Sequence, residues 1–115
     1  MMVSEFTKLM EERFHYCTNI LVDCKDKEYS RNGEKLHNFK RAGELLGVTP
    51  EEALLGMWSK QLVSLIDIAR DVREGHLPSR ELLAEKVSDV INYAVLLEAL
   101  ITERISKQIE GEGGK

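Results

Sequence analysis

The chain has only two cysteines, Cys17 and Cys24, and no Cys-x-x-Cys or Cys/His ligand spacing. Seven residues apart on a helix, the two thiols stand about two turns or roughly 10 Å from each other, beyond disulfide reach. They read as small buried apolar side chains in a reducing compartment, and a zinc site is not expected. Long apolar runs are also missing. The longest, Ala94 to Leu97, falls far short of a membrane span. Charge enters early, at Glu5, Lys8, Glu11 and Glu12, so no secretory leader is read and a cytoplasmic protein is expected. Strand signals are lacking too, because no alternating run bounded by hairpin turns occurs. Net positive charge is absent: at −4, the chain does not suit general nucleic-acid binding.

What remains is the composition of a folded helical domain. At 115 residues, with 43% hydrophobic and 31% charged, the chain suits one globular unit. We expect it over 1–110, with 111–115 as a flexible glycine-rich tail. Periodicity predicts four helices in a compact bundle. The first spans roughly Ser4 to Glu28, with Phe6, Leu9, Met10, Phe14, Cys17, Leu21 and Cys24 inward, and ends at an Asn32-Gly33 turn. The second covers about His37 to Leu46, closed by Gly47. The third starts at Thr49 with Pro50 at its first position and Glu52 completing a capping box. It carries Leu54, Met57, Trp58, Leu62, Leu65 and Ile66 toward the core and ends near Glu74-Gly75. The fourth starts at Ser79 and reaches about Ile109. Its apolar residues from Val87 to Ile101 exceed one face, so a homo-oligomer held through this helix is expected.

Two polar features stand out against this frame. Between Lys25 and Arg41, six basic residues face three acidic ones, so the segment carries +3 and the remainder −7. Lys27, Tyr29, Arg31, His37, Asn38, Lys40 and Arg41 form a basic-aromatic group suited to a phosphorylated nucleotide. Cations and helix N-termini receive phosphate, and Tyr29 or Phe39 can stack on a base. The bland alternative is a solvated loop with Phe39 in the core. The second feature is a pair of polar stripes: Lys60, Ser64, Asp67 and Asp71 on the third helix, and Glu85, Asp89 and Asn92 on the fourth. Apolar neighbours on both sides mark Asp89 and Asn92 as buried polar groups that need partners. Lys60, Asp89 and Asn92 join the candidate ligand-binding set.

Several blocks carry a resemblance: Lys27-Glu28-Tyr29-Ser30, Leu36 to Ala42, Leu46 to Glu51, Gly56 to Ser64, and Glu85 to Tyr93. Over about residues 17 to 103 the chain resembles small helical bacteriophage proteins of the nucleotide-modification-associated domain group. That resemblance implies a phage origin and a dealing with nucleotides. More distantly, the chain resembles all-α nucleotide pyrophosphohydrolases of the MazG type. Those enzymes hold Mg²⁺ between a Glu-x-x-Glu pair on one helix and a Glu-x-x-Asp pair on another. Here Asp89 matches the aspartate, but Lys86 stands three residues before it and Glu85 four, and the first helix has no Glu-x-x-Glu pair. The leading expectation is therefore capture of a phosphorylated nucleotide without turnover and without a cofactor, sequestering an immune signal of the cyclic-nucleotide or ADP-ribose type. The alternative is a Mg²⁺-dependent nucleoside triphosphate pyrophosphohydrolase with Asp67, Asp71, Glu85 and Asp89 as metal ligands. A purely structural or protein-binding helical oligomer is the third reading.

Overall fold

A computed structural model of the chain describes residues 1–20 and 34–113. The expectations for Leu21, Cys24, the helix end at Glu28, the Asn32-Gly33 turn, and Lys27, Tyr29 and Arg31 lie outside the described residues. The protein is all-α. Four helices follow in order: α1 (Val3–Thr18), α2 (His37–Leu46), α3 (Pro50–Arg73) and α4 (Arg80–Gly113). No strand occurs among the described residues.

Local chemistry explains where each helix starts and stops. α2 ends at Gly47, whose φ of 71° is the left-handed conformation that glycine adopts without a Cβ penalty. The Val48 N–H then donates to the Gly43 carbonyl at 2.9 Å, folding the chain back over the last turn. That return passes so close to Gly43 that a Cβ there would stand 2.9 Å from the Val48 carbonyl oxygen. α3 opens with the reciprocal capping box. The Glu52 N–H donates to Thr49 Oγ1 at 3.1 Å, and the Thr49 N–H donates to Glu52 Oε1 at 3.1 Å. Its far end closes on Gly75, at φ 89°, with the His76 N–H returned to the Asp71 carbonyl at 2.8 Å. The Leu82 N–H donates to Ser79 Oγ, which starts α4. That helix continues to Gly113, four residues past Ile109.

α3 and α4 lie antiparallel. Arg104, toward the end of α4, makes a two-pronged ion pair with Glu51 in the first turn of α3, the second bond at 3.1 Å. α2 closes over this end. Phe39 and Leu54 are fully buried there, among Leu36, Tyr93, Leu96 and Leu100. Phe39 meets Tyr93 edge-on, centroids 6.3 Å apart. Complete burial of an aromatic or leucine side chain contributes roughly 1.5–3 kcal/mol, so this cluster is the main adhesive of the fold. α1 attaches separately, against the N-terminal half of α4, where the buried Cys17 Sγ lies 3.9 Å from the Ser88 carbonyl.

The molecule is long and thin-walled. Its extents are 58 × 34 × 24 Å and its radius of gyration is 17.3 Å, against about 13–14 Å for a compact chain of this length. Consequently several residues expected inward are not covered. Phe6, Leu9, Met10 and Phe14 on α1, and Leu62 and Ile66 on α3, are all exposed. Their periodicity marks an apolar face, but among the described residues no helix covers it.

Candidate functional site

The inward face of α4 is polar in its middle. Ser88, Asp89 and Asn92 are all buried, Ser88 completely. Positions 88 and 92 are one helical turn apart, and 89 is adjacent, so the three share the face turned toward the other helices. Asp89 and Asn92 were expected there from sequence; Ser88 was not.

Several of these groups have nothing to bond. Ser88 Oγ and Asn92 Nδ2 are buried without a hydrogen-bond partner, and so are Trp58 Nε1 and Gln61 Oε1 on α3. Asp89 differs, being engaged in an interaction of its own. Counting in opposite directions from the Glu51–Arg104 tie brings Gln61 level with Tyr93 and Ala94, next to Asn92. Trp58 packs its ring against the cluster that includes Tyr93. By the same count Trp58 is level with Leu97 and Ser88 with Asp67, so the orphaned groups are spread along nine residues of α4, or about 14 Å: donors from Trp58 and Asn92, an acceptor from Gln61, and a hydroxyl that serves as either. Each buried unpaired group costs about 1–3 kcal/mol.

The cations behave differently. Lys40 Nζ lies 2.9 Å from Glu103 and 3.4 Å from Glu34. The hydrogen bond to Glu103 raises the pKa of Lys40 above the ordinary lysine value, so the charge is firmly held. Arg41 is exposed and pairs with Glu44 at 2.9 Å, one turn along the same helix. His37 and Asn38 are half-buried in the first turn of α2, and Asn38 is engaged. Glu34 already occupies part of that helix start, accepting from the Leu36 N–H at 3.0 Å. This hydrogen bond, ahead of the Lys40 charge, lowers the Glu34 pKa. An anion at the head of α2 would therefore have to displace a carboxylate. Lys40 belongs to a cleft of about 370 Å³ with Glu51, Glu103, Arg104 and Lys107. Its cations all have carboxylate partners, Lys107 meeting Glu103 at 3.7 Å.

The structure thus separates the expected residues into two groups. Asp89 and Asn92 sit in the buried polar stripe. Lys40 stands beside Glu103, eleven residues further along α4 than Asn92, or about 16 Å. Lys60 is exposed on α3 and joins neither group. The alternative metal ligands are dispersed: Asp67, Asp71 and Glu85 are exposed while Asp89 is buried. Among the described residues, no three His, Cys, Asp or Glu side chains come together to hold a metal ion. Trp58, Gln61 and Ser88 are the site residues that sequence reasoning missed. Gln61 and Ser88 give no periodic signal of burial beside Lys60 and Asp89, and Trp58 hides its N–H behind an apolar ring.

A second cavity has another character. Between α1 and the first half of α4 lies an open groove of about 930 Å³ whose walls include Phe6, Met10, Phe14, Leu83, Val87 and Ile91. Among the described residues, no helix is long and apolar enough to cross a membrane. Comparison of the chain with family models, curated proteins and solved structures gives no match.

Proposed function

We propose that this protein binds a phosphorylated nucleotide and holds it intact, as a cytoplasmic homo-oligomer. The observation that carries this reading is the set of four unpartnered buried polar atoms on α3 and α4. Donors, an acceptor and a hydroxyl beside an indole ring complement the edge of a base and the hydroxyls of a ribose, whose hydrogen bonds are directional and uncharged. Positive charge for a phosphate is concentrated in the sequence between Lys25 and Arg41, where Lys40 and Arg41 would exchange Glu103 and Glu44 for the ligand. In the setting that the resemblance implies, a bacterium infected by phage, such a protein removes a cyclic-nucleotide or ADP-ribose-type signal from the free pool. Sequestration fits better than hydrolysis, because Asp67, Asp71 and Glu85 are exposed while Asp89 is buried, and among the described residues no three such side chains come together.

The test is incubation with a nucleotide panel in Mg²⁺, followed by heat denaturation and chromatography. Sequestration returns the depleted nucleotide intact. Pyrophosphate plus monophosphate identifies the pyrophosphohydrolase instead, and an undepleted pool rules out both. Asn92→Leu keeps the side-chain size and removes the orphaned amide. It should lower affinity by roughly tenfold or more if that amide donates to the ligand.

A further inference from the structure

The apolar groove between α1 and α4 sits within a longer surface. At 100° per residue, Leu83, Val87, Ile91, Ala94, Ile101 and Ile105 fall on one side of α4, opposite the face that carries Ser88, Asn92, Leu96 and Leu100. Ala94, Ile101 and Ile105 are exposed. One long helix therefore buries one face in its own chain and offers outward a second face that is mostly apolar, with the exposed Glu98 among its residues. α1 flanks the beginning of that face and turns Phe6 and Phe14 outward, each about half exposed (52% and 51%).

We infer that this groove is the seat of a second copy of the same chain, the α1 of each protomer lying in the groove of the other. Three observations select that occupant. First, the side chains left exposed at this groove and along its continuation are large and apolar, among them Phe6, Leu9, Met10, Phe14 and Leu83, the kind of surface that a stable dimer buries. Second, the guest that an apolar groove accepts is a helix with large apolar side chains at three- and four-residue steps. α1 carries that pattern at Phe6, Leu9, Met10 and Phe14, which line its own groove and are still exposed, so across a two-fold axis the two α1 helices would meet each other as well as α4. Third, the charged groups at the groove are Glu12, Arg13, Arg80 and Glu81, two of each sign. Such a set is complementary to itself across a two-fold axis and lacks the basic excess that an anionic membrane surface would require. This inference gives the proposed assembly its face and does not depend on the nucleotide reading.

The experiment reads mass in solution by sedimentation equilibrium at micromolar concentration, with helicity followed by circular dichroism. The parent should sediment at twice the chain mass or more. Phe6→Glu with Phe14→Glu should reduce it to the 13.1 kDa chain with helicity kept, because both side chains are exposed in the single chain. Leu62→Glu with Ile66→Glu, on the uncovered side of α3, should leave the assembly intact. If the phenylalanine pair loses helicity, Ala94→Glu, on the same face of α4, gives the reading in its place. A parent that sediments as a single chain overturns the inference. So do a groove variant that stays assembled and an α3 pair that alone dissociates. Nucleotide binding is not read at any step, so failure here and failure of the nucleotide reading are separately visible.

Discussion

The same substitution, glycine to alanine, should have opposite effects at two positions. At Gly43, inside α2, an added Cβ would meet the Val48 carbonyl oxygen at 2.9 Å, the Pro50 nitrogen at 3.0 Å and the Thr49 carbonyl carbon at 3.1 Å. All three are backbone atoms of the link into α3, so no side chain can swing aside. The link is also anchored, by the Val48 N–H bond to Gly43 and by the capping box that follows it. Relief requires moving the α2–α3 connection by a few tenths of an ångström, at an overpacking cost of roughly 1–3 kcal/mol. Replacing a helical glycine returns about 0.8–1 kcal/mol of propensity, which offsets only part of that. Gly43→Ala should therefore destabilise by up to about 2 kcal/mol. At Gly56, in α3, the added Cβ meets nothing within 4 Å. Only the propensity gain remains, and Gly56→Ala should stabilise by up to about 1 kcal/mol. Urea titration followed by circular dichroism, all three proteins at one concentration, separates the two effects. With a slope of about 1–3 kcal/mol/M, the midpoints should move in opposite directions by several tenths molar or more. A Gly43→Ala midpoint at or above the parent would refute the close-approach reasoning.

Three further outcomes follow from named contacts. Thr49→Ala removes the side-chain half of the α3 capping box and should cost about 1 kcal/mol, read as a lower thermal midpoint at fixed concentration. The carboxyls of Glu51 and Glu52 are held below the ordinary value, the first by its hydrogen bond from Arg104 and the second by the Thr49 N–H. Their stabilisation is thus complete above the unfolded-state pKa and lost as pH falls through the folded one. Stability should drop on acidification from about pH 5 toward 3, and Glu51→Gln with Glu52→Gln should flatten that part of the profile. Ser88→Ala deletes a buried hydroxyl that has no partner, so urea stability should stay within about 1 kcal/mol of the parent or rise. A loss well beyond that would show that the hydroxyl is bonded in solution.

The helices were legible wherever a local signal stood at their ends. Thr49-Pro50 with Glu52 gives the start of α3, Gly47 the end of α2, and Ser79 the start of α4, because caps act over three or four residues. The end of α4 was less legible: Gly111 and Gly113 are poor helix formers, yet the helix runs to Gly113. Periodicity identified the apolar faces of α1 and α3, but a period says only that a face wants cover. Whether the cover comes from the same chain is a property of topology, and Phe6, Phe14, Leu62 and Ile66 are left exposed by it. Lys40 illustrates the same limit for charge. Read locally it is one of a run of cations, but its nearest carboxylate is Glu103, 63 residues away in sequence.

The candidate site was half legible for a related reason. Asp89 and Asn92 announced themselves by standing among Val87, Val90, Ile91 and Val95, where a polar side chain has no water to turn to. Gln61 and Ser88 lie beside other polar residues, Lys60 and Asp89, so the helical period alone does not assign them inward. Their burial depends on how α3 and α4 are rotated, which the Glu51–Arg104 tie and the Phe39 cluster settle at the opposite end of the bundle. The outcome on α4 is an inversion of the usual arrangement, with unpartnered polar groups inside and an apolar stripe outside. Desolvating Ser88 and Asn92 costs stability, and exposing the groove forgoes it, so neither feature is explained by the folding of one chain. A bound polar group would relieve the first and a covering apolar helix the second. Each has its own test, nucleotide recovery for the inner face and sedimentation for the outer one, and a parent that neither depletes a nucleotide pool nor sediments above the chain mass would leave both costs to the single chain.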